Sequence, residues 1–131
     1  MSGGVVRPVA AILCDQIRIE LGDKLIALGC VGPNITVSSF PTNLMTFTIL
    51  WIVDVIKAGD TEFLFEIRNS SIVLAGGNAT VQTVKAEKGT VMPGPTFPVI
   101  FEGPDSLTFC FRENEDEPWI DVMSWNFEAA V

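Results

Sequence analysis

The sequence predicts an all-β protein: a single antiparallel β-sandwich of jelly-roll or Greek-key type, with little or no helix. Short apolar runs alternate with turns rich in glycine and proline, and helical periodicity is scarce. The 131 residues are 48% hydrophobic and include 9 phenylalanines and 3 tryptophans, enough to fill a core without covalent cross-links. No repeat or linker divides the chain, so we expect a flexible tail over residues 1–7 and one sandwich domain over residues 8–131.

The strongest strand signal covers residues 45–55. Every odd position of this run is apolar, whereas the even positions begin with threonine and become apolar at Leu50 and Ile52. This pattern predicts a central strand with one face fully buried and the other partly covered. Trp51 belongs to the fully buried face, so we expect its ring in the core.

A second alternating run, residues 62–68, places two phenylalanines and an isoleucine on one face and charged residues on the other. Residues 57–61, between the two runs, have the length and composition of a hairpin connection. The two runs are therefore predicted to pair as one long antiparallel hairpin that forms the floor of the sandwich.

The N-terminal part predicts three further strands. Residues 9–14 form a compact apolar run, residues 16–20 alternate, and residues 25–31 form another apolar run after a turn at Gly22. A helix over residues 15–28 is the alternative, but a glycine in the middle of a helix costs about 1 kcal/mol relative to alanine.

Glycine and proline divide the C-terminal half into shorter strands. Two of them, residues 72–75 and 80–85, flank a predicted turn at residues 76–78. Three prolines within residues 92–98 remove backbone donors, so this segment is expected to cross the surface instead of forming an interior strand. The remaining predicted strands are residues 35–37, 99–102, 106–112 and 119–127.

Charge argues against two classes of partner. A formal charge of -8 and a pI near 4.3 would repel nucleic acid and an anionic membrane surface. No apolar run is long enough to span a membrane, and the N-terminus has no pattern of an export signal. The expected partner is therefore a protein.

Cysteine usage indicates the compartment. Cys14, Cys30 and Cys110 are odd in number and lie within apolar runs, so we expect three buried, reduced thiols. That pattern favours the cytoplasm over an extracellular setting.

Short motifs in the first third of the chain stand in a characteristic order: Ile12-Leu13-Cys14-Asp15, Ile17-Arg18, Gly22-Asp23-Lys24, Leu28-Gly29 and Phe40-Pro41. In this order they resemble a family of small uncharacterised bacterial and phage-associated proteins, and residues 103–111 echo a strand near the end of that family's pattern. The resemblance implies a β-sandwich similar to calcium-and-lipid-binding domains. No activity is attached to the family, and a phage-associated role would place the protein in a virion.

The sequence lacks the residues of several kinds of catalytic site. It contains no histidine, which excludes Ser-His-Asp and Cys-His nucleophilic sites and histidine-ligated zinc. The cysteines have no Cys-x-x-Cys spacing, and no glycine-rich phosphate loop precedes a helix. We expect no enzyme and no cofactor. The minority hypothesis is catalysis by two carboxylates, although spacing pairs no two of the candidates Asp15, Asp54, Asp105 and Asp121.

An acidic run at residues 113–117 offers oxygen ligands for calcium, with two further aspartates in range. A solvated loop without metal is the favoured interpretation, because calcium loops usually mix carboxylates with asparagine, glycine and carbonyl ligands at fixed spacing. The candidate ligands of the calcium alternative are Asp105, Glu113, Glu115, Asp116 and Asp121.

Three aromatic residues near the C-terminus, Trp119, Trp125 and Phe127, are candidates for a protein interface. Alternation places all three on one strand face, and core burial is the favoured alternative. An exposed strand beside them would be able to extend the sheet of a partner.

The favoured function is therefore a non-catalytic binding or structural module that acts through protein contact. Self-association or docking on a larger assembly, such as a phage particle, is the expected use. A calcium-dependent binding domain is the alternative, and an enzyme is the third possibility.

Overall fold

The computed structural model describes residues 3–22 and 24–130, and confirms the predicted all-β class. No helix occurs among these residues, so none of them lies in a helix able to cross a bilayer. The strands in chain order are β1 (Val5–Cys14), β2 (Gln16–Glu20), β3 (Lys24–Leu28), β4 (Asn34–Val37), β5 (Met45–Lys57), β6 (Gly59–Arg68), β7 (Val73–Thr83), β8 (Glu87–Val99), β9 (Asp105–Arg112) and β10 (Ile120–Ala129).

The strands form two facing sheets and one separate hairpin. The first sheet has the order β1-β5-β8, and the second has the order β4-β10-β9-β6-β7. Strands β2 and β3 pair only with each other among the described strands. The strand pairs within the sheets are antiparallel except β4 and β10, which run parallel.

The core lies between the two sheets, and Trp51 is at its centre. This side chain is 4% exposed, as the alternation in residues 45–55 predicts. Its ring centroid lies 5.1 Å from that of Phe63 and 5.2 Å from that of Phe109, both with edge-to-face geometry. Because both phenylalanines belong to the second sheet, the tryptophan joins the two layers. Strand β5 lies between β1 and β8, which confirms its central position.

The predicted hairpin of β5 and β6 is wrong, because the two strands lie in different sheets. Only Ala58 separates them, and the chain turns a corner there. Gly59 has φ +137°, and a Cβ atom added to Gly4 would lie 2.7 Å from the Gly59 carbonyl oxygen. Two glycines therefore allow the backbones to approach closely at this corner. Both strands keep their apolar faces toward one core, so alternation alone does not distinguish a hairpin from a corner.

The first sheet begins earlier than the predicted domain boundary. Strand β1 starts at Val5, which lies opposite Lys57, so residues 5–7 belong to the sheet and not to a tail. The amide of Gly4 also donates a hydrogen bond of 2.9 Å to the carbonyl of Asp60. Residues 1–2 lie outside the described part of the chain.

Strand β7 is continuous where a turn was predicted at residues 76–78. Gly76 lies opposite Glu66, and an added Cβ atom would approach the Phe65 carbonyl oxygen to 3.0 Å. Gly76 therefore allows close packing within a strand. The sequence alone does not distinguish a glycine of this kind from a glycine in a turn.

The proline-rich segment forms part of β8 and does not leave the sheet. The prediction that it is not an interior strand holds, because β8 is an edge of the first sheet. An edge strand turns one row of its backbone groups away from the sheet, so missing N–H donors are tolerated there. Pro93 and Pro98 lie opposite Leu50 and Thr46 of β5.

The hairpin of β2 and β3 forms as predicted, and the helical alternative is not adopted. Strand β3 is shorter than expected: it ends at Leu28, whereas the predicted strand ends at Val31. Gly29 follows with φ +68°, a left-handed conformation that glycine adopts readily. The chain then returns to β1, where the Val31 amide donates a hydrogen bond to the Leu13 carbonyl at 3.0 Å.

Candidate functional site: an uncovered apolar sheet face

The outward surface of the first sheet carries two apolar rows that run across all three strands. Side chains directly opposite each other on antiparallel strands share a face. The odd positions of β5 enter the core, so its even positions point away from it. The rows on this outward side, called here the sheet face, are Ala10-Ile52-Val91 and Ile12-Leu50-Pro93.

A third row is partly covered by the hairpin of β2 and β3. It consists of Cys14, Thr48 and Thr96, of which the first two are buried. The hydroxyl groups of the two threonines lie 2.9 Å apart, and the Cys14 thiol donates to the Thr48 carbonyl at 3.3 Å. Burial on this row therefore comes from the hairpin, since β2 approaches β5 from the outward side.

Among the described residues, no such layer covers the two apolar rows next to it. Ala10, Ile12, Leu50 and Ile52 are half-buried by their neighbours within the sheet, and Val91 is 43% exposed. Every side chain in these rows is apolar. A contiguous apolar surface of this kind on a soluble domain is typical of an interaction site.

The hairpin extends this surface. The register Ile17 opposite Ala27 and Ile19 opposite Leu25 gives one entirely apolar hairpin face. Two of its residues, Ile17 and Ile19, line a hollow of about 410 Å³ whose opposite wall includes Pro93, Gly94 and Thr96. This hollow is called here the slot.

Two apolar residues at the end of the hairpin are strongly exposed. Ile19 is 73% exposed and Leu21, in the turn, is 96% exposed. Isolated two-stranded sheets are only marginally stable in water, so a hairpin of this kind gains from packing against another surface.

The sequence contains a pattern that indicates the sheet face, although the sequence analysis does not identify this face as a site. Residues 9–14 and 49–53 are continuously apolar, a pattern typical of strands covered on both faces. The prediction for residues 45–55 was a second face that is partly covered. In the structure the hairpin supplies that cover at Thr48, whereas Leu50 and Ile52 lie beyond it.

A second apolar feature lies at the open side of the sandwich, between the edge strands β7 and β8. A cavity of about 360 Å³ there is lined by Val6, Val53, Val55 and Val81 among others. A neighbouring hollow of about 290 Å³ reaches Trp51 and Phe63. Strand β10 lies between β4 and β9, and β4 is an edge of the second sheet. The predicted extension of a partner's sheet by a strand beside β10 therefore stays a prediction.

The three aromatic interface candidates separate into two groups. Trp125 and Phe127 are fully buried in the core, where the stacked ring of Phe101 lies 4.2 Å from Phe127. A bulge between Asp121 and Met123 reverses the orientation of the residues before it. Trp119 therefore lies on the outward face of the second sheet, and the expectation of one common face is wrong.

The Trp119 ring packs against two arginine side chains and does not belong to the hydrophobic core. The guanidinium carbon of Arg112 lies 4.3 Å from the ring centroid, and that of Arg68 lies 5.7 Å away. Beside them, Arg68 Nε donates to the Cys110 thiol at 3.1 Å, and this thiol donates to Asp121 Oδ1 at 3.3 Å. Burial raises the pKa of Cys110 to about 11, Asp121 adds to the rise and Arg68 opposes it. The thiol is therefore protonated at neutral pH and is not a nucleophile.

The thiols differ from the sequence prediction at one position. All three cysteines are free, and Cys14 and Cys110 are buried. Burial, followed by the charges of Cys30 and Asp15, raises the pKa of Cys14. Cys30 is exposed, because β3 ends before the apolar run does.

The calcium candidates are not assembled into one site. Asp105 begins β9 and the acidic loop follows its end, so about 23 Å of strand separates them at about 3.3 Å per residue. Asp105 accepts hydrogen bonds from the amides of Ser70 and Ser106, and Asp121 accepts from Cys110. In the described ranges, no three acidic or cysteine side chains lie where they could hold one metal ion. The loop residues Glu113, Glu115 and Asp116 are exposed.

The carboxylates of the catalytic hypothesis are also dispersed. Asp54 lies opposite Arg7 in the first sheet and accepts a hydrogen bond from the Gly89 amide at 3.1 Å. Asp105 and Asp121 occupy separate positions of the second sheet, opposite Phe127 and Cys110. Asp15 follows β1, where its side chain packs against Gly29. The strand registers place no two of the four aspartates opposite each other.

No protein-family model matches this sequence, and none of the curated protein sequences is similar to it.

Proposed function

We propose that this protein is a non-catalytic interaction module that docks on a protein partner through the sheet face and the adjoining hairpin. The observation that carries the proposal is the pair of apolar rows centred on Leu50 and Ile52, which span three strands and which no described element covers. Burial of apolar surface is the dominant favourable term in protein association.

The charge of the chain supports a protein as the partner. A net charge of -8 opposes binding to nucleic acid or to an anionic membrane, whereas the sheet face itself carries no ionisable side chain. An uncharged centre with charged residues at its border is the usual composition of a protein interface. Arg7 and Asp54 lie opposite each other at one end of the rows and supply such a border.

The setting follows from the resemblance to bacterial and phage-associated sandwiches. A larger assembly such as a phage particle would cover the sheet face permanently, which accounts for residues that are apolar on both sides of β5. The protein would then be made in the cytoplasm and incorporated into the assembly. Catalysis is not part of the proposal.

Site-specific photo-cross-linking in the cells that naturally make the protein tests this proposal. A photo-reactive amino acid at Val91 places the probe on the sheet face, and the same probe at Ile72 is the control. Ile72 is 60% exposed and apolar, and it lies in the connection between β6 and β7 of the second sheet. We expect a discrete cross-linked protein product from position 91 and none from position 72. Absence of a product at position 91, or equal products from both positions, would overturn the proposal.

A further inference from the structure

We propose that the edge strand β7 is a second protein-binding site, which takes an extended segment of a partner protein as an added strand. The segment that fits this edge alternates apolar side chains with lysine or arginine. The site is separate from the sheet face, so the inference goes beyond the proposed function and does not depend on it.

Among the described edges of the two facing sheets, β7 is the one that lacks protection against further pairing. The four edges are β1 and β8 of the first sheet and β4 and β7 of the second. Proteins protect such edges with prolines, charged side chains, bulges or short strands. Strand β1 contains Arg7, Pro8 and two register shifts, β8 contains three prolines, and β4 has only 4 residues. Strand β7 has 11 residues, none of them proline or charged, and its one register shift precedes Ala75.

The outer backbone groups of β7 identify the occupant as an extended chain. Strand β7 pairs with β6 only, so the N–H and C=O groups on its other side have no strand partner in the described part of the protein. A second strand matches such a row, because its own backbone presents donors and acceptors at the same spacing. A small apolar ligand has no such row of groups. The edge therefore favours a polypeptide over a small molecule.

The core-facing side of the site has room for apolar side chains of the added strand. Ala79 and Val81 face the core from β7 but are only half-buried. Beside them lie the hollow of about 290 Å³ that reaches Trp51 and the cavity of about 360 Å³, and Val81 lines both. Neighbouring side chains on one face of a strand are about 6.6 Å apart. Consecutive apolar residues on this face of the added strand are therefore able to enter both spaces.

The outward side of the site is acidic. Asn78 and Thr80 lie on this side of β7 and are exposed. They line a hollow of about 260 Å³ whose other walls include Glu62, Glu113 and Glu115. Within the described ranges, no lysine or arginine forms an ion pair with these three carboxylates. The remaining residues of the added strand would lie beside them, so lysine or arginine at those positions complements the charge.

The same charge argues against a second copy of this chain as the occupant. Two β7 strands that paired edge to edge would bring two acidic surfaces together, and like charges in close contact oppose association. A basic segment of a different protein meets no such repulsion. We therefore assign the edge to a partner segment of opposite charge.

Titration calorimetry with a synthetic peptide tests the inference. The probe alternates valine and lysine over the length of residues 75–83, which pair with β6 without interruption. The control peptide has the same composition, but all its valines are grouped at one end. Both peptides have the same charge, so general attraction to an acidic protein is equal for the two. We expect the alternating peptide to bind at least about ten-fold more tightly.

Methylation of the peptide backbone separates strand addition from charge attraction. A strand added to one edge uses the N–H groups of alternate residues, since the others point away from that edge. One peptide carries methyl groups on the nitrogens of all valines, and a second carries them on the nitrogens of all lysines. We expect one of the two to keep its affinity and the other to lose at least about ten-fold.

Thr80→Lys tests the location of the site. A lysine at this exposed position opposes the lysines of the peptide and should weaken binding at least about five-fold. Thr36→Lys is the matched control, because Thr36 is an exposed threonine of β4, the other edge of the same sheet. It makes the same change in net charge and should weaken binding less than about two-fold, since salt screens distant charges.

Four results would each overturn the inference. They are no binding at about 1 mM of the alternating peptide, equal affinity for the two residue orders, equal affinity of the two methylated peptides, and equal effects of Thr80→Lys and Thr36→Lys. A wild type that dimerises without peptide, and whose dimer the peptide dissociates, would assign the edge to a second copy and contradict a separate partner. The cross-link from position 91 tests the sheet face independently of all these results.

Discussion

The guanidinium carbon of Arg112 lies 4.3 Å from the centre of the Trp119 ring, on the outward face of the second sheet. Trp125, in the strand that follows, is 1% exposed and lies in the core. The bulge between Asp121 and Met123 separates these two environments. The two tryptophans therefore have different energetic roles, although the sequence presents them as one aromatic cluster.

Replacing each tryptophan by alanine should show this difference. Trp125→Ala removes a core ring and should reduce the free energy of unfolding by about 3–5 kcal/mol. Trp119→Ala removes a partly exposed cation–π contact and should reduce it by about 1 kcal/mol. Urea denaturation measures both values. Equal losses in the two variants would contradict the assignment of Trp119 to the outward face.

Thiol labelling should separate the three cysteines. A thiol-specific reagent is expected to modify Cys30 rapidly in the folded protein, because it is exposed. Cys14 and Cys110 should react only after denaturant is added, since both are buried. Mass spectrometry counts the modified sites, and Cys30→Ser is the control that should show no rapid labelling. Fast modification of that variant in the native state would show that a core thiol is accessible.

The raised pKa of Cys110 predicts a loss of stability at alkaline pH. The thiol titrates near 9.0 when it is unperturbed and at about 11 in the folded state. Between these values the unfolded chain releases the proton while the folded chain keeps it, so stability falls as the pH rises. The stabilisation of the folded state by the protonated Cys110 thiol is fully present below pH 9.0 and is lost by the time the pH passes about 11.

Comparison with Cys110→Ser isolates that contribution, because serine does not titrate in this range. The melting temperature of the wild type should fall more steeply than that of the variant between these two pH values. If the melting temperatures of both proteins fall in parallel with pH, folding does not raise the pKa of the Cys110 thiol.

The acidic loop should respond little to calcium. Its carboxylates are exposed and are separated from Asp105 by the length of β9. Millimolar calcium should therefore leave the melting temperature unchanged, both in the wild type and in a variant that combines Glu115→Gln, Asp116→Asn and Glu117→Gln. The substitutions themselves should change stability by at most about 0.5 kcal/mol. A rise with calcium in the wild type that disappears in the variant would identify a calcium site.

Local sequence patterns predicted those parts of the fold that depend on local chemistry. Alternation in residues 45–55 located β5 and the buried ring of Trp51, and Gly22 located the turn of the hairpin. Both features require only that side chains alternate across a strand or that a glycine relieves a turn. The separation of β5 and β6 into two sheets was not predicted, because it depends on the close approach of Gly4 to Gly59. Residues so far apart in sequence leave no local pattern.

The candidate site was harder to predict for a related reason. A bulge moved Trp119 to the opposite face from Trp125, and strand periodicity does not encode a bulge. The apolar run around Leu50 and Ile52 indicated cover on both sides of β5, but the sequence does not state whether that cover comes from the same chain. Only the arrangement of the hairpin, which covers Thr48 and stops short of Leu50, distinguishes the two cases.

The most direct test of the central claim is the yield of cross-linked product from a photo-reactive probe at Val91 in an Ile52→Thr background. Threonine keeps the branched shape that suits a strand but makes the sheet face polar. The matched control is Ile72→Thr, which makes the same change at an exposed position between β6 and β7 of the second sheet and should leave the product undiminished. We predict that Ile52→Thr abolishes the cross-linked product while the free energy of unfolding falls by less than about 1.5 kcal/mol. An undiminished product in that variant would contradict the claim that the sheet face is the docking surface.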